Sequence, residues 1–226
     1  CVSVNPSTQG EAIMDQFSRA DMTKFSELKT PAKKEEFLWS RSALLHAGAH
    51  LKSITYQGKK PITSEAFISL SHCQGGVSAA YSKALEVGID IETRRENLGR
   101  IASKFTTEEE KKRFTCDEQT TLQFIWGIKE SLFKLYGYGN VDFKKHLEIT
   151  SFEWNAQTKQ GWGTAWITQT CAERTKPIQC LVQTAIVDEH FISMATHRKP
   201  TAPFESERVL LREWTPEDAP WLYQLN

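Results

Sequence analysis

Hydrophobic residues recur every three or four positions in the first quarter of the chain and predict helices over residues 11–52. Pro31 predicts a break between two of these helices. The period changes to two at Ala66, where apolar residues begin to alternate with serines, as in a strand. Gly75 and Gly76 then predict a tight reversal into a second strand. The chain is therefore expected to begin with helices and to continue into a hairpin.

The remainder of the chain again shows helical patterns followed by strand patterns. Residues 87–92, VGIDIE, predict a strand whose isoleucines and acids lie on opposite faces. Residues 97–116 and 118–137 predict two helices, the first interrupted around residues 106–110. Four more strands are predicted between residues 146 and 197. This order predicts an α+β fold of two similar α/β halves.

Composition narrows the classes of function. Of the 226 residues, 39% are hydrophobic and 25% charged, which is ordinary for a globular protein. The 28 basic and 28 acidic residues give a formal net charge of zero, which argues against general nucleic-acid binding. The five cysteines form no C-x-x-C pair, so reduced thiols in a cytoplasmic protein are expected. No apolar run approaches the roughly 18 residues of a membrane span, and no segment resembles a signal peptide.

Three carboxylates are candidates for a metal site. Asp90 and Glu92 lie two apart on a predicted strand, so they share a face and would repel each other without a cation. From this spacing alone, a solvated polar face is the commoner explanation. Glu130 would add a third carboxylate from a helix, but with Lys134 it also has the spacing of a surface ion pair worth a few tenths of a kcal/mol. Trp126, one turn earlier, is not needed on a purely solvated face.

Other polar residues are suited to phosphate. Ser71 and His72 end a predicted strand just before the glycine turn, where the imidazole would either hold a phosphate oxygen or cap the turn. Several basic residues would together match a polyphosphate, although each alone is typical of a solvated charge: Lys33, Lys34, Arg41, Lys59 and Lys60.

Four segments occur in order and at characteristic intervals: SLSHC, VGIDIE, KFTTEEEKKRF and WGIKESLFK. Together they resemble the 4′-phosphopantetheinyl transferases, and most closely the surfactin-synthetase-activating type. The core of the resemblance is G-I-D at residues 88–90 followed by W-G-I-K-E-S-L-F-K at residues 126–134, and it extends over residues 20–197. It implies a monomer whose two halves, about 1–95 and 96–198, are related by a pseudo-twofold axis with the active site in the cleft between them.

The resemblance also implies roles for individual residues. Asp90, Glu92 and Glu130 would bind Mg²⁺, or alternatively Mn²⁺, and Lys134 would neutralise phosphate charge during catalysis. Glu109 would be the general base, with Glu108 as the alternative. The residues implied to bind coenzyme A are Lys60, Pro61, Ser71, His72 and Lys134, with Lys33, Lys34 and Arg41 as further candidates. The familiar G-K-P element reads G-K-K-P here, so two lysines compete for the nucleotide contact.

The implied reaction is transfer of 4′-phosphopantetheine from coenzyme A to a serine of an acyl or peptidyl carrier protein, with release of 3′,5′-ADP. One alternative is an Mg²⁺-dependent phosphodiesterase or nuclease that uses the same carboxylates. Another is a carrier-binding module without catalysis.

The end of the chain suggests a second unit. Residues 199–206 predict a linker that begins with KPTAP. Residues 207–226 resemble the opening strand and helix of a GCN5-related N-acetyltransferase and lack its pyrophosphate-binding loop. A strand and one helix cannot bury a core by themselves, so no acetyltransferase activity is expected from this chain.

Overall fold

The first described elements are two capped helices. The computed structural model describes residues 13–58 and 60–197, and the linker and tail predicted beyond residue 198 lie outside this part. Helix α1 spans Arg19–Glu27 and helix α2 spans Pro31–His46. The Thr30 side chain accepts a hydrogen bond from the Lys33 backbone, and Pro31 occupies the first turn, where its missing N–H is not needed. The predicted break at Pro31 is confirmed.

Two hairpins follow these helices. Strands β1 (Thr55–Gln57) and β2 (Lys60–Ile62) pair antiparallel, in a stretch for which no strand was predicted. Strands β3 (Phe67–Cys73) and β4 (Gly76–Ser82) form the second hairpin, which is the one predicted from the sequence. Its turn uses Gly75 at φ 74°, in the left-handed region that favours glycine.

A five-stranded antiparallel sheet forms the larger part of the fold. Its members are β5 (Val87–Thr93), β6 (Leu147–Asn155), β7 (Gln160–Ile167), β8 (Ile178–Val187) and β9 (His190–His197). The order across the sheet is β5-β9-β8-β7-β6. The strand that carries Asp90 therefore pairs with the last described strand, and not with the hairpin that precedes it in sequence. All five strand segments predicted from residue 87 onward are confirmed.

The remaining helices cover this sheet. They are α3 (Leu98–Phe105), α4 (Glu108–Lys111), α5 (Glu118–Tyr136) and α6 (Phe143–His146). Phe124, Ile125, Ile128 and Leu132 of α5 are fully buried in the main hydrophobic core. Within the described residues, no helix is long and apolar enough to cross a membrane.

Two glycines let α5 lie directly on the sheet. A Cβ on Gly88 would fall 1.9 Å from the Ser131 carbonyl oxygen, and one on Gly127 would fall 2.7 Å from Ser193 Oγ. No side chain fits at Gly88, where the α5 backbone approaches this closely, and a side chain at Gly127 would displace the Ser193 hydroxyl. Helix α5 is therefore fixed on β5 two residues from Asp90.

Candidate functional site

Asp90 is the centre of a buried polar cluster built by three elements. Its Oδ1 accepts hydrogen bonds from Ser71 Oγ of β3 at 2.9 Å and from Lys134 Nζ of α5 at 2.8 Å. Lys134 Nζ also donates to Ser71 Oγ at 2.6 Å. The second oxygen, Oδ2, is buried and has no hydrogen-bond partner among the described residues. A buried carboxylate oxygen without a donor is costly, and a cation is one way to satisfy it.

Glu130 is coupled electrostatically to both acids of β5. Burial, with the charges of Asp90 and Glu92, raises the pKa of Glu130 to about 7, against the opposing effect of Lys134 and Arg95. Like charges shift a carboxyl pKa in this way only over short distances. The strand and the helix thus bring all three predicted metal ligands into one electrostatic cluster.

Glu92 is held by Arg95, a residue without a role predicted from the sequence. Arg95 Nε donates to Glu92 Oε2 at 3.0 Å, and Arg95 Nη2 donates to the other carboxylate oxygen. The same guanidinium lies over the Trp126 ring, 5.4 Å from its centroid. Trp126 therefore contacts the arginine that holds Glu92, which agrees with its position one turn before Glu130. An arginine three residues after the second acid was the available signal for this pair.

The three carboxylates supply donors of the type that Mg²⁺ prefers, and the unpaired Oδ2 of Asp90 is one of them. Within residues 13–58 and 60–197, however, no group of three histidine, cysteine, aspartate or glutamate side chains is arranged to hold a metal ion as it stands. Lys134 and Arg95 occupy oxygens of Asp90 and Glu92. The carboxylate oxygens are suited to a hard divalent cation. Such a cation would have to displace the Lys134 and Arg95 side chains.

His72 and Lys33 contact the same carboxylate, and Lys34 has a different neighbour. His72 Nε2 is 3.3 Å from Glu36 Oε1, and Lys33 Nζ is 3.2 Å from the other oxygen of the same carboxylate. Lys34 Nζ lies 5.5 Å from the centre of the Phe25 ring. Lys33 and His72 are thereby brought together, with Glu36 between them.

Arg41 is placed differently. Its guanidinium is buried and donates to both oxygens of Asp21, at 2.7 and 2.8 Å, and to the Tyr56 hydroxyl. Tyr56 in turn donates to Asp21 at 2.5 Å, and burial together with this carboxylate raises the pKa of Tyr56. Arg41 therefore joins α1, α2 and β1 in this structure and does not face the solvent.

Lys60 and Pro61 line a groove of about 520 Å³ beside the end of α5, together with Glu86 and Arg174. Lys60 Nζ donates to the Lys134 backbone carbonyl at 3.4 Å, which links the groove to the helix that carries the site. Burial lowers the pKa of Lys60. Lys59, its rival for the nucleotide contact, lies outside the described residues.

The three glutamates after the α3 helix have unlike surroundings. The side chains of Glu108 and Glu109 are 78% and 72% exposed and pair with Lys111 and Lys112. Glu110 is instead buried, with its carboxylate 2.8 Å from Lys129 Nζ. The candidate bases thus lie on the surface, and the neighbouring carboxylate lies in the core.

Glu110 is a residue that the sequence reasoning missed. With Thr107 it forms a capping box, in which each side chain accepts a hydrogen bond from the other residue's backbone N–H. Its other oxygen accepts from the Ile149 backbone N–H at 3.0 Å, at the bulge of β6. The T-x-x-E spacing of residues 107–110 was the signal that predicts such an inward carboxylate.

The fold brings three carboxylates, a lysine and an arginine into one cluster on β5 and α5. Residues 86–193 match the model of the 4′-phosphopantetheinyl transferase superfamily. This stretch contains β5 and α5, which carry all three carboxylates and Lys134. Ser71, His72 and the N-terminal basic residues lie outside it. A comparison with curated proteins found no match to the chain.

Proposed function

We propose that this protein transfers the 4′-phosphopantetheine group of coenzyme A to a serine of an acyl or peptidyl carrier protein, releasing 3′,5′-ADP. The observation that carries the proposal is the Asp90–Lys134 contact within the superfamily match, with Glu130 beside it. It combines carboxylate oxygens that can bind a cation with a lysine that can neutralise phosphate charge. Transfer of a group from a diphosphate requires both.

In the proposed mechanism, Asp90, Glu92 and Glu130 hold a divalent cation, with Mg²⁺ expected and Mn²⁺ as the alternative. The cation, when bound, neutralises charge on the diphosphate oxygens. Lys134 Nζ exchanges its contact with Asp90 for the phosphoryl oxygens and stabilises the charge that develops there. Ser71, which already contacts both residues, orients the lysine.

The transfer step forms a bond between the carrier serine oxygen and the β-phosphorus and breaks the bond from that phosphorus to the bridging oxygen of 3′,5′-ADP. The serine proton passes to a carboxylate, for which Glu109, or alternatively Glu108, stays the prediction. The exposure of both side chains suits contact with a protein substrate.

The nucleotide is proposed to contact Ser71 and His72 on one side and Lys60 and Pro61 on the other. Lys33 shares the Glu36 carboxylate with His72 and is suited to a phosphate, and Lys34 is a further proposed contact. Arg41 would first have to leave Asp21, so it is the weakest of the proposed contacts.

The finer description of the protein is also a proposal. It is a cytoplasmic monomer of the surfactin-synthetase-activating type, with halves of about 1–95 and 96–198 and a cleft between them. A linker at residues 199–206 and a segment at residues 207–226 that resembles the start of an acetyltransferase follow.

A carrier-labelling assay tests the reaction. The full chain is incubated with Mg²⁺, a fluorescent coenzyme A analogue and a panel of apo acyl and peptidyl carrier proteins, each with a variant that lacks the acceptor serine. Covalent label is expected on the unaltered carriers alone. Cleavage of nucleic acid without label transfer would overturn the proposal in favour of a nuclease, and carrier binding without transfer would identify a non-catalytic module.

Replacing Lys134 with methionine is expected to lower the transfer rate about a hundredfold, because the developing phosphate charge loses its cation. Arginine at this position should recover part of the rate, since it keeps the charge with a different geometry. The measurement is kcat in the labelling assay. Lys145→Met is the control, because Lys145 is an exposed lysine with a weak 4.0 Å pair to Asp142. Equal rates for both variants would contradict the role of Lys134.

A further inference from the structure

Arg95 occupies the carboxylate that the proposed metal would need. Two nitrogens of its guanidinium donate to the two oxygens of Glu92, so no oxygen of that side chain is left without a cation contact. A metal that chelates Glu92 through both oxygens takes the positions that the two guanidinium nitrogens hold, so this mode of metal binding requires Arg95 to move.

The backbone of Arg95 is fixed although its side chain is not enclosed. Its backbone N–H donates to Gln123 Oε1 at 2.9 Å, and its carbonyl accepts from Gln119 Nε2 at 2.6 Å. Both glutamines belong to α5. The side chain itself is 47% exposed and rests on the Trp126 ring. The guanidinium can therefore swing from an anchored backbone while it stays beside Glu130, whose charge it already influences.

We propose that Arg95 is an exchangeable counter-ion for the site. It neutralises Glu92 in the metal-free protein and moves onto the diphosphate of coenzyme A when a divalent cation takes Glu92. Arginine is suited to both positions, because its planar fork donates two parallel hydrogen bonds to a carboxylate or to a phosphate. This inference rests on the proposed function.

The structure also explains why Arg95 takes this role and Arg94 does not. Arg94 donates to Thr120 Oγ1 at 3.3 Å, and its guanidinium lies 5.3 Å from the centre of the Phe191 ring. It makes no contact with the three carboxylates among the described residues. Arg94→Met therefore removes the same charge from the neighbouring position without touching the proposed exchange.

The test measures binding by the full chain with isothermal titration calorimetry, first of Mg²⁺ alone and then of coenzyme A at saturating Mg²⁺. Arg95→Met is expected to bind Mg²⁺ about threefold more tightly than the unaltered protein, because an exposed ion pair no longer competes. The same variant should bind coenzyme A about tenfold more weakly, because it lacks a charge-assisted phosphate contact. Arg94→Met should change neither dissociation constant by more than about twofold. For both ligands, the affinity of Arg95→Lys should lie between those of the unaltered protein and Arg95→Met.

The readout is this opposite change in affinity, tighter for Mg²⁺ and weaker for coenzyme A. A general loss of structure would weaken the binding of both. Mg²⁺ affinity that is unchanged or weaker in Arg95→Met would overturn the inference, and so would unchanged coenzyme A affinity. Either result leaves the proposed function standing if the unaltered protein labels a carrier. Conversely, if the opposite change in affinity is observed in a protein that labels no carrier, the exchange is supported and the proposed reaction fails.

Discussion

Glu130→Gln is expected to reduce carrier labelling by about 10²–10³-fold and, at the same time, to make the metal-free protein more stable at pH 8. The loss of activity follows from removing one of three negative ligands for the proposed cation that stabilises the transferring phosphate. The gain in stability follows from the environment of Glu130, where burial and two neighbouring acids oppose its charge.

The stability effect has a defined dependence on pH. The pKa of Glu130 is about 7 in the folded protein against an ordinary value of 4.5, so folding favours its protonated form. Its ionisation therefore destabilises the fold progressively as pH rises from 4.5 to 7, by up to about 3 kcal/mol above that range. Asp90 and Glu92 enlarge this effect, and Lys134 and Arg95 reduce it.

Urea unfolding of the metal-free protein at pH 5 and at pH 8 measures this difference. The glutamine variant should gain stability at pH 8 and little at pH 5, and added Mg²⁺ should stabilise only the unaltered protein. Glu118→Gln, on the exposed first turn of the same helix, is the control and should change neither property. Full labelling activity in Glu130→Gln would show that the metal role assigned to this carboxylate is wrong.

Lys129→Met is expected to lower the free energy of unfolding by about 3–5 kcal/mol, because it leaves the Glu110 carboxylate buried without its cation. Lys129 Nζ also donates to the Phe143 carbonyl at 3.0 Å, so the same change leaves that acceptor unpaired as well. The measurement is urea unfolding followed by circular dichroism.

The double variant Lys129→Met/Glu110→Gln separates charge from packing. Glutamine removes the buried charge while its carbonyl oxygen can still accept a hydrogen bond from Thr107 or Ile149, so more than half of the loss should be recovered. Lys112→Met is the control, because Lys112 caps the end of α4, pairs with Glu109 on the surface and should change stability by less than about 0.5 kcal/mol when replaced. A loss below about 1 kcal/mol in Lys129→Met would contradict the importance of the buried pair.

Local pattern was sufficient to predict most of the secondary structure. The break at Pro31, the reversal at Gly75 and the strand that carries Asp90 all follow from residue periodicity and backbone preference, and the structure confirms them. Periodicity reports which side of an element is apolar, so it also indicated that Asp90 and Glu92 share a face. It did not reveal the short β1–β2 hairpin, which contains Lys60 and Pro61.

The partner of each charged residue depended on tertiary contacts. Arg41, an expected phosphate ligand, is paired with Asp21, twenty positions away in sequence, and the unassigned Glu110 is paired with Lys129. Nothing in the spacing of either pair distinguishes it from a pair of solvated charges. Burial decides between the two, and burial is a property of the packed molecule.

The sequence by itself therefore determined the elements, the shared face of the two strand acids and the segments that resemble a transferase. Only the tertiary structure determined that β5 pairs with β9, that Gly88 admits the backbone of α5, and that Lys134 reaches Asp90 across 44 positions. It also showed Arg95 on Glu92. The physical reason is the separation along the chain over which each interaction acts. Periodicity and capping depend on residues a few positions apart. A charged site is completed by side chains that only the packed fold brings within hydrogen-bond distance.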